Sequence, residues 1–256
     1  MKKEKFIIKL SIYNMRALLI LFFLQLFLTT SCASQNLNLP YGARETFVKI
    51  EKTINIFSCD EETGEHCQIN SAMITGSGVV IANKKEGSYI LTAAHVCDSN
   101  DIMKRPGIKE YQIIIEAVTL EEKKYLSNIV NMNFESDVCI LFAKGLKNKV
   151  AKISRKPPKQ GERVFNVAAP VGIFYKNTVP ILDGFFMGDL PERTCAYYSI
   201  PASGGSSGSP IFNSYGYLVG MIHSVNVYFP MISVSPIHKN MIDFIKTTII
   251  KEMTPN

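Results

Sequence analysis

Three short segments of the chain hold side chains able to do chemistry together. The first is Gly204-Gly205-Ser206-Ser207-Gly208-Ser209-Pro210, a turn of small residues in which glycines admit close backbone approach and a central serine is presented. A serine hydroxyl is a weak nucleophile at neutral pH. It needs a base to take its proton, a carboxylate to hold that base in one tautomer, and amide donors for the oxyanion. The second segment offers the base: Tyr89-Ile-Leu-Thr-Ala-Ala-His95-Val, preceded by Thr75-Gly-Ser-Gly-Val-Val-Ile81. The third, Glu135-Ser-Asp137-Val-Cys-Ile-Leu-Phe142, places a carboxylate at the head of an apolar strand. Each has a plainer reading: a flexible surface turn, a packed histidine, a strand-capping aspartate with Glu135 as a decoy beside it. The chain has four histidines, and neither His66, in a polar loop, nor His238, on a tail segment, has comparable surroundings.

The elements that must position these groups read as short strands. TFVKIEKTINIFS, GSGVVIAN, GSYILTAAHV, YQIIIEAVTL, SDVCILFAK, RVFNVAAP and GYLVGMIHSV are rich in Val, Ile, Tyr and Phe and are separated by Gly, Asn, Pro and charged turns. Many short strands without intervening amphipathic helices argue for an all-β barrel or sandwich. The exception is the tail. After Ser235-Pro236, a cap-like residue and a first-turn proline, Ile237, Met241, Ile242, Ile245 and Ile249 recur at helical spacing and predict one C-terminal helix over about 236–250. The polar stretch from Lys156 to Gly161 reads as a link between two halves.

On these three motifs the chain resembles the trypsin/chymotrypsin family, over roughly residues 45–248. The resemblance implies two six-stranded antiparallel β-barrels with a C-terminal α-helix, barrel one at about 45–152 and barrel two at about 160–235. It implies an endopeptidase acting on proteins or peptides with His95, Asp137 and Ser207 as triad, and with the N–H groups of Gly205 and Ser207 as oxyanion donors. The order His, Asp, Ser separates this family from α/β-hydrolases. Their Gly-x-Ser-x-Gly elbow would make Ser206 the nucleophile and would need Asp, then His, downstream. The Ser209-Pro210 ending and the lack of a cysteine next to His95 are similar to bacterial members, including Deg-type proteases and glutamyl endopeptidases. A second reading is a protease-fold binding protein of the cell envelope without turnover; the intact triad favours the enzyme.

In this family the strand after the nucleophile turn returns along the primary specificity pocket, here Tyr217 to Asn226. The expected substrate-binding residues are Ala202, Ile222, His223, Ser224 and Val225. Glutamyl endopeptidases carry Gly-x-His on this strand, whereas Gly220-Met-Ile-His223 is one residue longer, and one residue turns a strand side chain to the opposite face. Counted from Ser207, Ile222 then faces the pocket with Ala202, giving a small or apolar site. His223 falls nearer the triad acid, where the family often has Ser or Thr; acidic or Gln specificity is the competing reading. Pro201 stands where trypsins have an acid, which argues against cleavage after Lys or Arg.

The N-terminus has signal-peptide order: basic MKKEKFIIKLSIYNMR, the twelve-residue apolar stretch Ala17 to Leu28, then TTSCAS. Twelve residues fall short of the roughly 20 that span a membrane. Residues 1–32 read as a signal peptide or lipoprotein signal, with Cys32 as the lipidation site, and 33–44 as a linker; an uncleaved anchor is the weaker reading. Export to the periplasm or outside the cell follows, with a lipid or uncleaved segment as the route to a membrane. Removal of 1–32 takes away five basic residues and one acidic, lowering the formal charge from +6 to +2 and leaving no electrostatic case for nucleic acid. Cys59 and Cys67 bracket a polar loop and read as a local disulfide. Cys97 and Cys139, each two residues past a triad member, read either as a bridge or as two buried thiols, and Cys195 has no evident partner. No Cys or His pair recurs at metal-ligand spacing, and no cofactor is expected.

Overall fold

The computed structural model describes residues 41–58, 67–98 and 108–254. The signal region with Cys32, and Cys59, lie outside the described residues; Cys67 is disulfide-bonded. A short helix α1 (Tyr41–Arg44) leads into six strands. These are β1 (Phe47–Ser58), β2 (Gln68–Lys84), β3 (Gly87–Thr92), β4 (Ile108–Val118), β5 (Lys124–Asn133) and β6 (Val138–Lys144). They close an antiparallel barrel in the order β1-β2-β3-β6-β5-β4. Val48, Ile50 and Ile54 on alternate positions of β1, Val79 on β2 and Leu91 on β3 are buried in its core, as the two-residue period of a strand requires.

Lys52 continues the inward face of β1 and is fully buried. Its ammonium donates to the carbonyl of Asp98 at 2.5 Å, so the charge is buried with a partner.

The second half corrects the expected second barrel. Its strands are β7 (Lys152–Ile153), β8 (Arg163–Val167), β9 (Ile181–Leu190), β10 (Cys195–Tyr198), β11 (Pro210–Asn213), β12 (Tyr217–Met221), β13 (Ser224–Val225) and β14 (Ser233–Pro236). They form an open eight-stranded sheet, β13-β14-β10-β9-β8-β11-β12-β7. The reason lies at Ile222 and His223, where one continuous stretch changes partners. Ile222 N–H donates to Ser209 O, while the next residue, His223, donates to Val234 O (both 2.9 Å). The ladder therefore breaks inside the stretch expected as a single closing strand, and β12 and β13 end up near opposite edges of the sheet. β7, at the boundary of the span expected for the first barrel, pairs in parallel with β12, Tyr217 against Lys152.

The tail helix, α3 (His238–Met253), starts after the predicted cap. Ser235 and Pro236 belong to β14, paired with Ala196 and Cys195, and Ile237 takes the N-cap position without a side-chain cap. Met241, Ile242 and Ile245 are buried in the cluster that includes the first barrel's core. No helix among the described residues is long and apolar enough to cross a membrane.

Candidate active site

β3 ends at Thr92, and its pairing with Cys139 of β6 sets the site's geometry. The chain leaves β3 into the single turn α2 (Ala94–Cys97), which carries His95, while Asp137 immediately precedes β6. Asp137 sits in the left-handed region, φ 50°, a conformation aspartate tolerates better than most residues. Its Oδ1 accepts the backbone N–H of His95 at 2.9 Å, and its Oδ2 stands 2.7 Å from His95 Nδ1. A disulfide between Cys97 and Cys139 joins the two segments just behind this pair, settling the question left open by the sequence. Glu135 is exposed.

A second imidazole reaches the same carboxylate: His223 Nδ1 is 3.4 Å from Asp137 Oδ2. Burial pushes the Asp137 carboxyl upward, but the nearby His223 imidazole and the hydrogen bonds from His95 outweigh it and hold the group well below the usual carboxylate range. An ionised carboxylate only accepts, so His95 Nδ1 carries the proton and Nε2 is left as the basic nitrogen.

The serine turn is fixed by its carbonyls. Gly204 O accepts Val171 N–H at 2.6 Å, Gly205 O accepts the Ser77 hydroxyl at 2.8 Å, Ser206 O accepts Ser209 N–H at 2.9 Å, and Ser207 O accepts Ser77 N–H at 2.8 Å. A trans peptide points its N–H opposite to its carbonyl, so these four bonds fix the donors as well. Ser206 N–H is used, donating to Ser203 O at 2.9 Å. The N–H groups of Gly205 and Ser207 donate to nothing among the described residues. Two unused amide donors flanking a used one form a concave nest able to bind an anion. Gly205 has φ 92°, and a Cβ there would overlap the Ala169 carbonyl oxygen, so glycine is required on both counts. Ser207 is partly exposed, whereas Ser206 is buried with its Oγ turned inward, 3.3 Å from Ser203 N.

Three supporting residues were not singled out from the sequence. Ser77, in the GSGVVI run, uses its hydroxyl twice, donating to Gly205 and accepting Ala169 N–H at 3.1 Å, while its carbonyl accepts the Thr92 hydroxyl at 2.8 Å. Asn166 of β8 is buried and donates from Nδ2 to Ser209 Oγ at 2.8 Å and to Pro210 O at 2.9 Å, gripping the turn just past Ser207. Val171 holds the Gly204 carbonyl from a left-handed backbone, φ 46° and ψ 29°. A polar residue between two glycines in an apolar strand was the available signal for Ser77; no local pattern marks the other two.

Of the expected substrate-binding residues, Ala202 and Ile222 are buried in one apolar cluster, with Val225 packed against it. Ala202 N–H donates to Pro230 O at 3.0 Å, so the hairpin between β13 and β14 folds over this segment. Ser224 is exposed on β13, at the sheet's edge. His223 is drawn away from this group to Asp137. Among the described residues no group of three or more His, Cys, Asp or Glu is placed to hold a metal ion.

A family model described as a trypsin-like peptidase domain matches residues 76–221. The chain is 30% identical over 187 residues to a serine protease HtrA-like protein of Staphylococcus haemolyticus, covering 67% of this chain and 27% of that protein. It is similar in fold to the crystal structure of a serine endoprotease from Yersinia pestis, with a TM-score of 0.59 and 16% identity over 82% of this chain and 64% of the other. It is also similar to an HtrA-type protease, AlgW, with a decapeptide, with a TM-score of 0.64 and 14% identity over 84% and 66% of the two chains.

Proposed function

The chain belongs to the trypsin-like peptidase domain family, and on that premise we propose that it is a serine endopeptidase working through an acyl-enzyme on Ser207. The observation that carries the reading is the pair of unused N–H groups at Gly205 and Ser207, in a turn held to the same framework as the His95–Asp137 pair. Ser207 Oγ attacks the scissile carbonyl carbon as His95 Nε2 takes the hydroxyl proton, and the carbonyl oxygen, now negative, is held by Gly205 and Ser207 N–H. Asp137 keeps His95 in the Nδ1–H tautomer and balances the imidazolium that forms. His95 then returns the proton to the leaving amine, and a water activated by His95 releases the acyl group.

Substrate is an extended polypeptide: β13 is an edge strand whose free side suits main-chain pairing with a peptide. The apolar surroundings of Ala202 and Ile222 favour a small or apolar side chain before the cleaved bond. The peptidase domain is taken as residues 45–248, exported, with lipid on Cys32 as its route to a membrane. Its near-neutral mature charge gives nucleic acid no role.

The test is cleavage of an unfolded casein substrate by the full chain and by Ser207→Ala, with product termini read by mass spectrometry. Internal cleavage lost in Ser207→Ala supports the reading. A folded wild-type protein that binds casein without cutting it supports the silent binding protein instead.

A further inference from the structure

The stretch from Lys144 to Lys159 carries seven basic residues and no acidic one, and each of the seven is exposed. Of the formal +2 past residue 32, +7 lies in these sixteen residues, which leaves −5 for the rest. Lys147 reaches the turn between β2 and β3, its ammonium donating to the carbonyls of Lys84 and Lys85, and so gathers three lysines in one place. Lys149 and Lys152 line one cavity together with Gly42 of α1 and Tyr215. Tyr215 is 82% exposed, and Asn213 presents it: its Oδ1 accepts the N–H groups of Tyr215 and Tyr217 at 3.1 and 3.0 Å. The carboxylates nearby are Glu45, paired with Lys149 at 3.0 Å, the exposed Glu86, and Glu252, which meets the Tyr89 hydroxyl at 3.3 Å. The strands that build the catalytic site carry this surface away from it. β6 starts beside Asp137 and rises about 20 Å to Lys144. β3 starts at Gly87, paired with Lys144, and ends at Thr92 before His95, while β11 leaves the Ser207 turn and ends at Asn213.

We propose that this face, with Lys84, Lys85, Lys147, Lys149, Lys152 and Tyr215, docks on anionic lipid headgroups and holds the triad turned away from the membrane. Lysines gain from the negative potential of an anionic bilayer surface, and a tyrosine's apolar ring and polar tip suit the headgroup level. A membrane is favoured over another polyanion by what stands beside the lysines: α1, where the peptidase domain starts. Nine residue steps separate Cys32 from Tyr41, a reach of at most about 30 Å, so a lipid on Cys32 keeps this face close to the bilayer. The inference rests on the lipid-tethered reading for the membrane's nearness but not for the surface itself.

The test places the full chain on vesicles of phosphatidylcholine, alone or with about 30% phosphatidylglycerol, and maps lysine acetylation by mass spectrometry. Lys147, Lys149 and Lys152 are expected to react at least about 10-fold more slowly on anionic than on neutral vesicles, with the protection lost in about 0.5 M NaCl. Lys176, exposed in the loop that holds the Gly204 carbonyl, is the control and stays reactive. Replacing Lys147, Lys149 and Lys152 together by Gln removes about fivefold per lysine, so the ratio of docked to undocked chain falls about 100-fold. Lys84 and Lys85 then react as fast as on neutral vesicles, while kcat on a short peptide is unchanged. Equal labelling of the three lysines on both vesicles, or slower labelling of Lys176 alongside them, overturns the proposal. So does protection by a DNA duplex but not by anionic vesicles, which assigns the lysines to nucleic acid. The mass of the Cys32 peptide reads the tether separately. An unlipidated Cys32 with the lysines still protected overturns the tether alone, and a lipidated Cys32 with the lysines equally labelled overturns the docking surface alone.

Discussion

Adding one methyl at residue 205 separates the cost of backbone shape from the cost of losing the oxyanion donors. Gly205 holds φ 92°, and alanine forced into left-handed backbone costs roughly 1–2 kcal/mol. The new Cβ would also overlap the carbonyl oxygen of Ala169 and come within 3.3 Å of Gly172 N. Those two atoms are themselves bonded across the Pro170–Gly172 turn, Gly172 N–H to Ala169 O at 3.1 Å, and that turn presents the Val171 N–H that orients Gly204 O. Relief of the overlap therefore moves the peptide whose N–H is proposed as one oxyanion donor. Loss of such a donor lowers kcat about 10²- to 10³-fold.

Gly161→Ala is the control. Residue 161 has φ 79° with nothing within 4 Å of the added Cβ, so it carries the conformational cost alone. Both variants are expected to melt lower, Gly205→Ala by roughly 4–8 °C or more, from at least about 2 kcal/mol in a chain of this size. Only Gly205→Ala is expected to lose activity. The assay is kcat on a fluorogenic peptide beside a thermal melt. A folded Gly205→Ala within threefold of wild-type kcat would refute the oxyanion reasoning.

Three further outcomes follow from the same geometry. Replacing Cys97 and Cys139 by alanine opens a loop of 42 residues' separation and should cost about 4 kcal/mol, read as a lower urea midpoint than the oxidised wild type. Asp137→Asn should lower kcat by on the order of 10⁴ with the fold retained, because the amide no longer enforces the Nδ1–H tautomer of His95; circular dichroism alongside kinetics checks it. Burial holds the His238 imidazole below its usual range, so the unfolded chain takes up that proton first. Its contribution to stability is complete above about pH 6.5 and is lost as pH falls from there toward the folded value. Melts between pH 7.5 and 5 should show this slope reduced in His238→Gln.

How much of this was legible in the sequence depended on how local each determinant is. His95 and Asp137 sit in strand-end motifs, and their neighbours along the chain suffice to mark them. The strand-rich pattern gave an all-β barrel or sandwich, and only the resemblance made the first half a barrel, which β1–β4 and β3–β6 close across long sequence separations. The position of His223 beside the carboxylate followed from counting strand alternation out from Ser207, though its residue type alone suggested a pocket. What could not be read were long-range bonds. The orientation of the Gly204–Gly205 peptide is set by Val171, and the next carbonyl by Ser77, 128 residues away. Closure of the second half hinged on one change of partner between Ile222 and His223, which no composition or spacing announces. β7 joined β12 because two residues past the first barrel meet an edge there, a tertiary event. The tail helix was visible from its apolar spacing, but Ser235 and Pro236, good capping residues in isolation, were taken by β14.

The most direct test of the account is reaction of the full chain with a fluorophosphonate probe, followed by peptide mapping, with Ser207→Ala in parallel. The account predicts a single adduct on Ser207 that the substitution abolishes. An adduct on Ser206, or no adduct on a well-folded wild-type protein, would contradict it.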